Sequence, residues 1–157
     1  TTGGGLTMLG GVLDLALIVD DRWSLPLFGG GVYAAVGSYE AVVTHVDGTI
    51  ARLRPWTAYR ADILLPGIGY RVKHRRHMFA AAVRTGISVL KMTGSAAAGA
   101  EGAPLDTTGA SFLLQAELEA CRRLDPTTRA CLFVAPRLYE QRLINGATFG
   151  LRMEWGS

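Results

Sequence analysis

Apolar and polar positions alternate along most of this chain with a period of two. The segment Ala147 to Trp155 is nearly free of error. Phe149, Leu151, Met153 and Trp155 fall on one face, and Thr148, Gly150, Arg152 and Glu154 on the other. The turns between such segments predict strands at 5–19, 23–46, 49–73, 78–93, 111–122, 130–144 and 147–155. In the first strand Leu13, Leu15, Leu17 and Val19 oppose Asp14. In the second, Trp23, Leu25, Leu27, Tyr33 and Ala35 share a face. In the third, Leu53, Thr57, Tyr59, Ala61, Ile63 and Leu65 oppose Arg52, Arg54, Arg60 and Asp62. The pattern slips near Pro66-Gly67, where Ile68, Tyr70 and Val72 become the apolar set, and a β-bulge would do this. In the fourth, Phe79 through Val89 at alternate positions oppose Arg84, Gly86 and Ser88. In the fifth, Phe112, Leu114, Ala116, Leu118 and Ala120 oppose Gln115, Glu117 and Glu119. In the sixth, Leu132, Val134, Pro136 and Leu138 oppose Arg137, Tyr139 and Gln141.

The connections are of two kinds. Asp20-Asp21-Arg22, Lys73 to His77 and Arg122 to Arg129 are short and charged. Val46-Asp47-Gly48-Thr49, the Ala/Gly-rich segment 94–110 and Asn145-Gly146 lie at the opposite end. Segment 94–110 reads as a flexible loop. The second and third strands exceed the roughly 9–11 residues that a tilted strand needs to cross a bilayer, so their hairpin is expected to project beyond it.

Composition turns this alternation toward a membrane. The chain of 157 residues is one domain's worth, 49% hydrophobic and only 18% charged, with mean hydropathy +0.23. Yet it holds no run of about 18 uncharged apolar residues, so a spanning helix is excluded. The longest apolar stretch, Met8 to Val19, is broken by Asp14 and by glycines. Apolar residues spread over alternate positions of many strands are what a transmembrane β-barrel produces. The expected fold is all-β, an antiparallel up-and-down barrel of about eight strands, seven of them visible. Barrels of single bacterial chains have even strand numbers. A further strand before Thr1 is therefore expected, since an unpaired edge facing lipid is strongly disfavoured. The net charge of +3 is modest and dispersed, which leaves no nucleic-acid footprint. The first residues show no n-region, h-region and cleavage site, so for an exported chain the signal peptide is expected to have been removed or left out.

The polar faces carry Asp14, Arg84, Glu117, Glu119, Arg137, Arg152 and Glu154. Enclosed charges of both signs are expected to pair, filling the lumen with a salt-bridge network. The competing readings are an ion-conducting pore and a catalytic carboxylate pair at Glu117 and Glu119. Two-residue spacing on a strand is common in any polar lumen, so the catalytic signal is weak. Trp23, Tyr70, Phe79 and Trp155 lie beside the short-turn end, as one aromatic girdle. Tyr33, Tyr59, Phe112 and Phe149 lie nearer the other end. An ordinary sandwich core is the soluble alternative, but its turns should come every 8–12 residues.

Cys121 and Cys131 flank one turn. A hairpin centred on Pro126 sets them face to face on the lumen side, within reach of a disulfide, and oxidation suits a periplasmic setting. As a metal site the pair is poor, with no histidine near it in sequence. His74 and His77 read as part of a solvated basic turn. Gly29-Gly30-Gly31 lacks the Gly-Lys-Ser/Thr of a phosphate loop. No catalytic constellation, cofactor motif or metal motif emerges.

The whole pattern resembles a small Gram-negative outer-membrane β-barrel of the eight-stranded class. Ala147 to Trp155 looks like the C-terminal signal read by the barrel-assembly machinery, although that pattern ends on its aromatic and Gly156-Ser157 follow here. The resemblance is to a class, so no functional residue carries over. It implies the bacterial outer membrane as the compartment. The implied partners are outer-membrane lipid, lipopolysaccharide and, during biogenesis, the assembly machinery. A structural or surface-interaction role is expected, acting through the projecting 23–73 hairpin and the 94–110 loop. A pore or transport barrel for small solutes and a soluble lipocalin-like barrel are the alternatives.

Overall fold

A computed structural model describes residues 7–38, 40–44, 50–96, 105–140 and 146–156. The chain is all-β. Its strands are β1 (Leu9–Ile18), β2 (Trp23–Gly37), β3 (Ala41–Thr44), β4 (Ile50–His74), β5 (His77–Ala96), β6 (Leu105–Arg123), β7 (Thr128–Glu140) and β8 (Ala147–Trp155). They form one antiparallel up-and-down sheet in the order β1-β2-β4-β5-β6-β7-β8, with the short β3 paired to β4 in the register Ala41↔Leu53 to Thr44↔Ile50. Seven staves therefore stand side by side. With alternating directions, β1 and β8, at the two ends of the order, run the same way. Among the described residues no ladder joins them.

Two-residue periodicity gives the sheet one buried and one exposed face. In β8 the exposure alternates without fault from Ala147 to Trp155. In β5 Phe79, Val83 and Ile87 are exposed while Arg84, Gly86 and Ser88 are buried. In β6 Phe112 and Leu118 are exposed while Gln115, Glu117 and Glu119 are buried. In these stretches the exposed face is the apolar one and the polar residues lie on the buried face, the reverse of a sheet that packs a dry core in water.

The faces of two strands depart from the sequence reading. Leu27 and Phe28 are both exposed, so the alternation in β2 shifts by one. Val32 and Val36 then face out, and Tyr33 and Ala35 turn to the more buried side, away from the face of Trp23 and Leu25. The following glycines accommodate the shift. A side chain at Gly29 would collide with the Asp14 and Arg84 side chains. In β4 a second shift falls at Pro55, which follows a cis peptide bond from Arg54. Leu53 is 1% exposed and lies on the buried face, while Arg52 and Arg54 share the exposed face with Tyr59. The slip expected at Pro66-Gly67 is present: Leu65 and Pro66 are both exposed, and Ile68, Tyr70 and Val72 continue that face. A further irregularity in the β6–β7 ladder sits between Leu114 and Gln115.

The elements differ from expectation mainly toward the end bearing longer connections. The second strand, expected to reach residue 46, ends at Gly37 and resumes as β3. The strands β5 and β6 extend to Ala96 and from Leu105, well into the expected 94–110 loop. The β-branched Thr108 favours strand where composition suggested a break. The hairpin signal 46–49, Asn145 and the middle of that loop lie outside the described residues.

Contacts divide the chain into two compact units. The first comprises residues 1–12, 31–62 and 88–110. Its buried cluster is Leu53, Trp56, Ala58 and Met92, with Met8, Ala35 and Leu90 packed against it. The Trp56 ring lies where a side chain at Gly37 would stand, so glycine there is a requirement of close packing. The Thr57 and Thr93 hydroxyls are 2.6 Å apart. Ser88 Oγ donates to Asp62 Oδ1 at 2.6 Å, and Arg60 Nε donates to the same oxygen at 2.8 Å. The second unit comprises residues 13–30, 63–87 and 111–157.

Candidate functional site: a buried ion network

The second unit concentrates charge on the buried side of its strands. Asp14 on β1, Arg71 on β4, Arg84 on β5, Glu117 and Glu119 on β6, Arg129 on β7, and Arg152 and Glu154 on β8 all reach it. Arg152 is the hub. Its Nη2 lies 2.7 Å from Asp14 Oδ2, and its Nη1 donates to Glu117 Oε1 at 2.8 Å. A second bond from Nη2 reaches Glu117 Oε2 at 3.2 Å, and Glu119 Oε1 is 3.5 Å from Nη1. The guanidinium also stacks over the Phe133 ring, 4.6 Å from its centroid. Arg84 Nη1 donates to Asp14 Oδ1 at 2.5 Å, with Glu117 Oε1 3.7 Å from its Nη2. Glu154 sits between Arg71 at 3.5 Å and Arg129 at 3.6 Å.

Four carboxylates thus meet four guanidinium groups, and their formal charges cancel. Neutrality matters because an uncompensated buried charge costs several kcal/mol, whereas a fully engaged one roughly offsets its desolvation. The arrangement follows from local sequence. Alternation in β6 places Glu117, Glu119 and Cys121 on one face. The β7–β8 register then sets Arg129 opposite Glu154 and Cys131 opposite Arg152. Glycine at 29 leaves the space into which the Asp14–Arg84 pair fits.

Of the charged residues expected in the lumen, Asp14, Arg84, Glu117, Glu119, Arg152 and Glu154 come together. Arg137 is half-buried and lies opposite Gln115 in the β6–β7 ladder. Sequence reasoning missed Arg71 and Arg129, which complete the network, and it missed the clamp of Ser88 and Arg60 on Asp62. Arg71 carried a legible signal, since it opposes the Tyr70 and Val72 face set after the Pro66 slip.

Cys121 and Cys131 are direct partners in the β6–β7 ladder, as a hairpin centred on Pro126 requires, and their sulphur atoms are 2.08 Å apart. Met78 packs against them. One ligand-capable atom from each of Glu119, Cys121, Cys131 and Glu154 falls within 4.8 Å of all the others.

The short turns are organised by carboxylates. Asp20 Oδ1 accepts the Arg22 and Trp23 N–H groups at 2.7 Å each, and these bonds, the Arg22 amide foremost, hold its pKa below the usual aspartate value. Asp125 Oδ1 accepts the Thr127 and Thr128 N–H groups at 2.8 Å and the Thr127 hydroxyl at 3.0 Å. The Thr127 amide is the main cause of its lowered pKa. The Lys73 ammonium, 2.8 Å from Asp21, lowers that carboxyl likewise. Arg75 takes a left-handed backbone with φ of 53° in the basic turn, beside the exposed His74 and His77. The four girdle aromatics all border these turns. Trp23 and Tyr70 meet edge to face at 5.0 Å, while Phe79 and Trp155 are exposed. No protein-family model, curated protein or solved structure matches the chain.

Proposed function

We propose that this chain is an outer-membrane β-barrel protein with a structural or surface-interaction role. Its apolar face meets lipid and lipopolysaccharide, and its ion network fills the interior. The observation that carries this reading is the inversion of burial. Among the described residues, 31 large hydrophobic side chains are exposed, from Leu9 to Trp155, while the charges of the network are buried. Soluble monomers rarely expose contiguous apolar patches beyond a few hundred Å², whereas membrane strands alternate apolar-out and polar-in. The girdle of Trp23, Tyr70, Phe79 and Trp155 suits a headgroup interface at the short-turn end. The Cys121–Cys131 bridge belongs to the same reading, as a staple formed in an oxidising compartment. Strand β4, at 25 residues, is far longer than a bilayer crossing requires. The hairpin it forms is the surface available to an extracellular partner.

The test is depth-resolved quenching. A variant keeping only Trp155 (Trp23→Phe, Trp56→Phe) is refolded into vesicles whose lipids carry bromine at a shallow or a deep acyl position. Shallow bromine should quench Trp155 more strongly than deep bromine. A chain that stays monodisperse without detergent, with Trp155 untouched by either lipid, overturns the reading.

A further inference from the structure

We infer that Glu119, Cys121, Cys131 and Glu154 form a latent site for a soft or borderline divalent cation of the zinc class, covered while the sulphur atoms are bonded to each other and opened by reduction. The four residues lie on one face of three adjacent strands. Cys121 and Cys131 are ladder partners, and Glu154 lies two positions beyond Arg152, the partner of Cys131. Their ligand atoms already fall within 4.8 Å of one another. A tetrahedral zinc ion with bonds of about 2.0–2.3 Å sets its ligand atoms roughly 3.3–3.8 Å apart. Binding requires the carboxylate oxygens to close in from the first spacing and the two sulphur atoms to part.

Two further observations point to a cation. Glu119 is buried, its side chain 6% exposed, and its Oε1 has no hydrogen-bond donor. The Glu119 carboxylate, one of the four groups of the cluster, thus has a lone pair to offer. The second observation is charge. Reduction by a trialkylphosphine breaks the S–S bond. The phosphine is oxidised to its oxide, taking oxygen from water, and the two hydrogens of that water complete two thiols. Binding the cation displaces both thiol protons. A neutral disulfide is thereby replaced by two thiolates and one divalent cation, so the net charge of the buried site does not change. Arg152 keeps Asp14 and Glu117, while Glu154, whose two oxygens now face Arg71 and Arg129, would share one of them with the cation. Two sulphur and two carboxylate ligands favour zinc-class ions over magnesium or calcium, which take oxygen alone.

The experiment uses the full chain in detergent micelles, reduced anaerobically with phosphine and titrated with Co²⁺ and then Zn²⁺. One Co²⁺ per chain should bind, with thiolate-to-cobalt charge-transfer absorption and tetrahedral d–d bands, and Zn²⁺ should displace it. The unreduced chain should show neither band. X-ray absorption of the zinc form should give two sulphur and two oxygen neighbours. Glu119→Gln and Glu154→Gln should each weaken binding at least about tenfold while keeping the sulphur band. Failure of the reduced chain to bind Co²⁺, a sulphur count other than two, or undiminished affinity in both glutamine variants overturns the assignment. None of these results bears on whether the exposed face contacts lipid.

Discussion

Replacing Arg152 with Met removes the hub of the network and keeps most of its volume. The guanidinium faces Asp14, Glu117 and Glu119 at 2.7, 2.8 and 3.5 Å. With charge centres about 4 Å apart, each such pair is worth about 4 kcal/mol at an effective dielectric constant near 20. Three of them sum to about 12 kcal/mol before the desolvation of Arg152 is subtracted, which is itself several kcal/mol. Arg84 still serves Asp14 and Glu117 in the variant, so part of the loss is recovered. The net cost should be about 3–4 kcal/mol, the range found when one partner of a buried pair is removed. Adding Glu117→Gln removes the charge left in excess. The double variant should therefore be more stable than Arg152→Met alone, by about 1–2 kcal/mol. The assay is guanidinium unfolding in vesicles, followed by tryptophan fluorescence. A cost below about 1 kcal/mol for Arg152→Met, or a double variant whose cost equals the sum of the two single ones, refutes the claim that the charges act as one neutral unit.

Three further outcomes are expected. Leu151, at 84% exposure, should tolerate Arg poorly in vesicles, losing about 2–4 kcal/mol if it sits near the bilayer centre; a change within about 0.5 kcal/mol is what a watered surface would give. Gly29→Ala drives a methyl group into the Asp14–Arg84 pair and should cost about 1–3 kcal/mol, whereas Gly11→Ala, with open space around it, should be close to neutral; equal unfolding midpoints for the two would remove the steric argument. Asp125 should titrate below the ordinary value of 3.8, because its folded state favours the carboxylate. Its contribution to turn stability is thus complete above pH 4 or so and is lost as pH falls through the lower folded value. The Thr127 and Thr128 amide shifts report that midpoint, and a value at or above 3.8 contradicts it.

The legible parts of this fold are those where alternation runs unbroken. Strands β5, β6 and β8 show on the exposed face the residues that counting by twos places together, and the β6–β7 hairpin centres where Pro126 suggests. The slip at Pro66-Gly67 was visible because the apolar set changes parity across it. The slip at Leu27 and Phe28 was hidden, since both residues are apolar and either continues a plausible face. At Pro55 the apolar Leu53 fell in step with Tyr59 by chance, which masked a shift that buries it. Arg71 and Arg129 escaped notice because they lie near charged turns, where a cation is usually solvated. The approach of Glu119 and Glu154 to the cysteines was out of reach for a different reason. It depends on the joint register of β6, β7 and β8, and no single strand encodes it.

Because the first and last staves of the sheet point the same way, a direct seam between them would carry slanted, parallel bonds, unlike every other junction in the sheet. A seam of uniform kind needs an odd number of intervening legs. One added hairpin, which brings two, would leave the mismatch in place, and a lone leg would remove it.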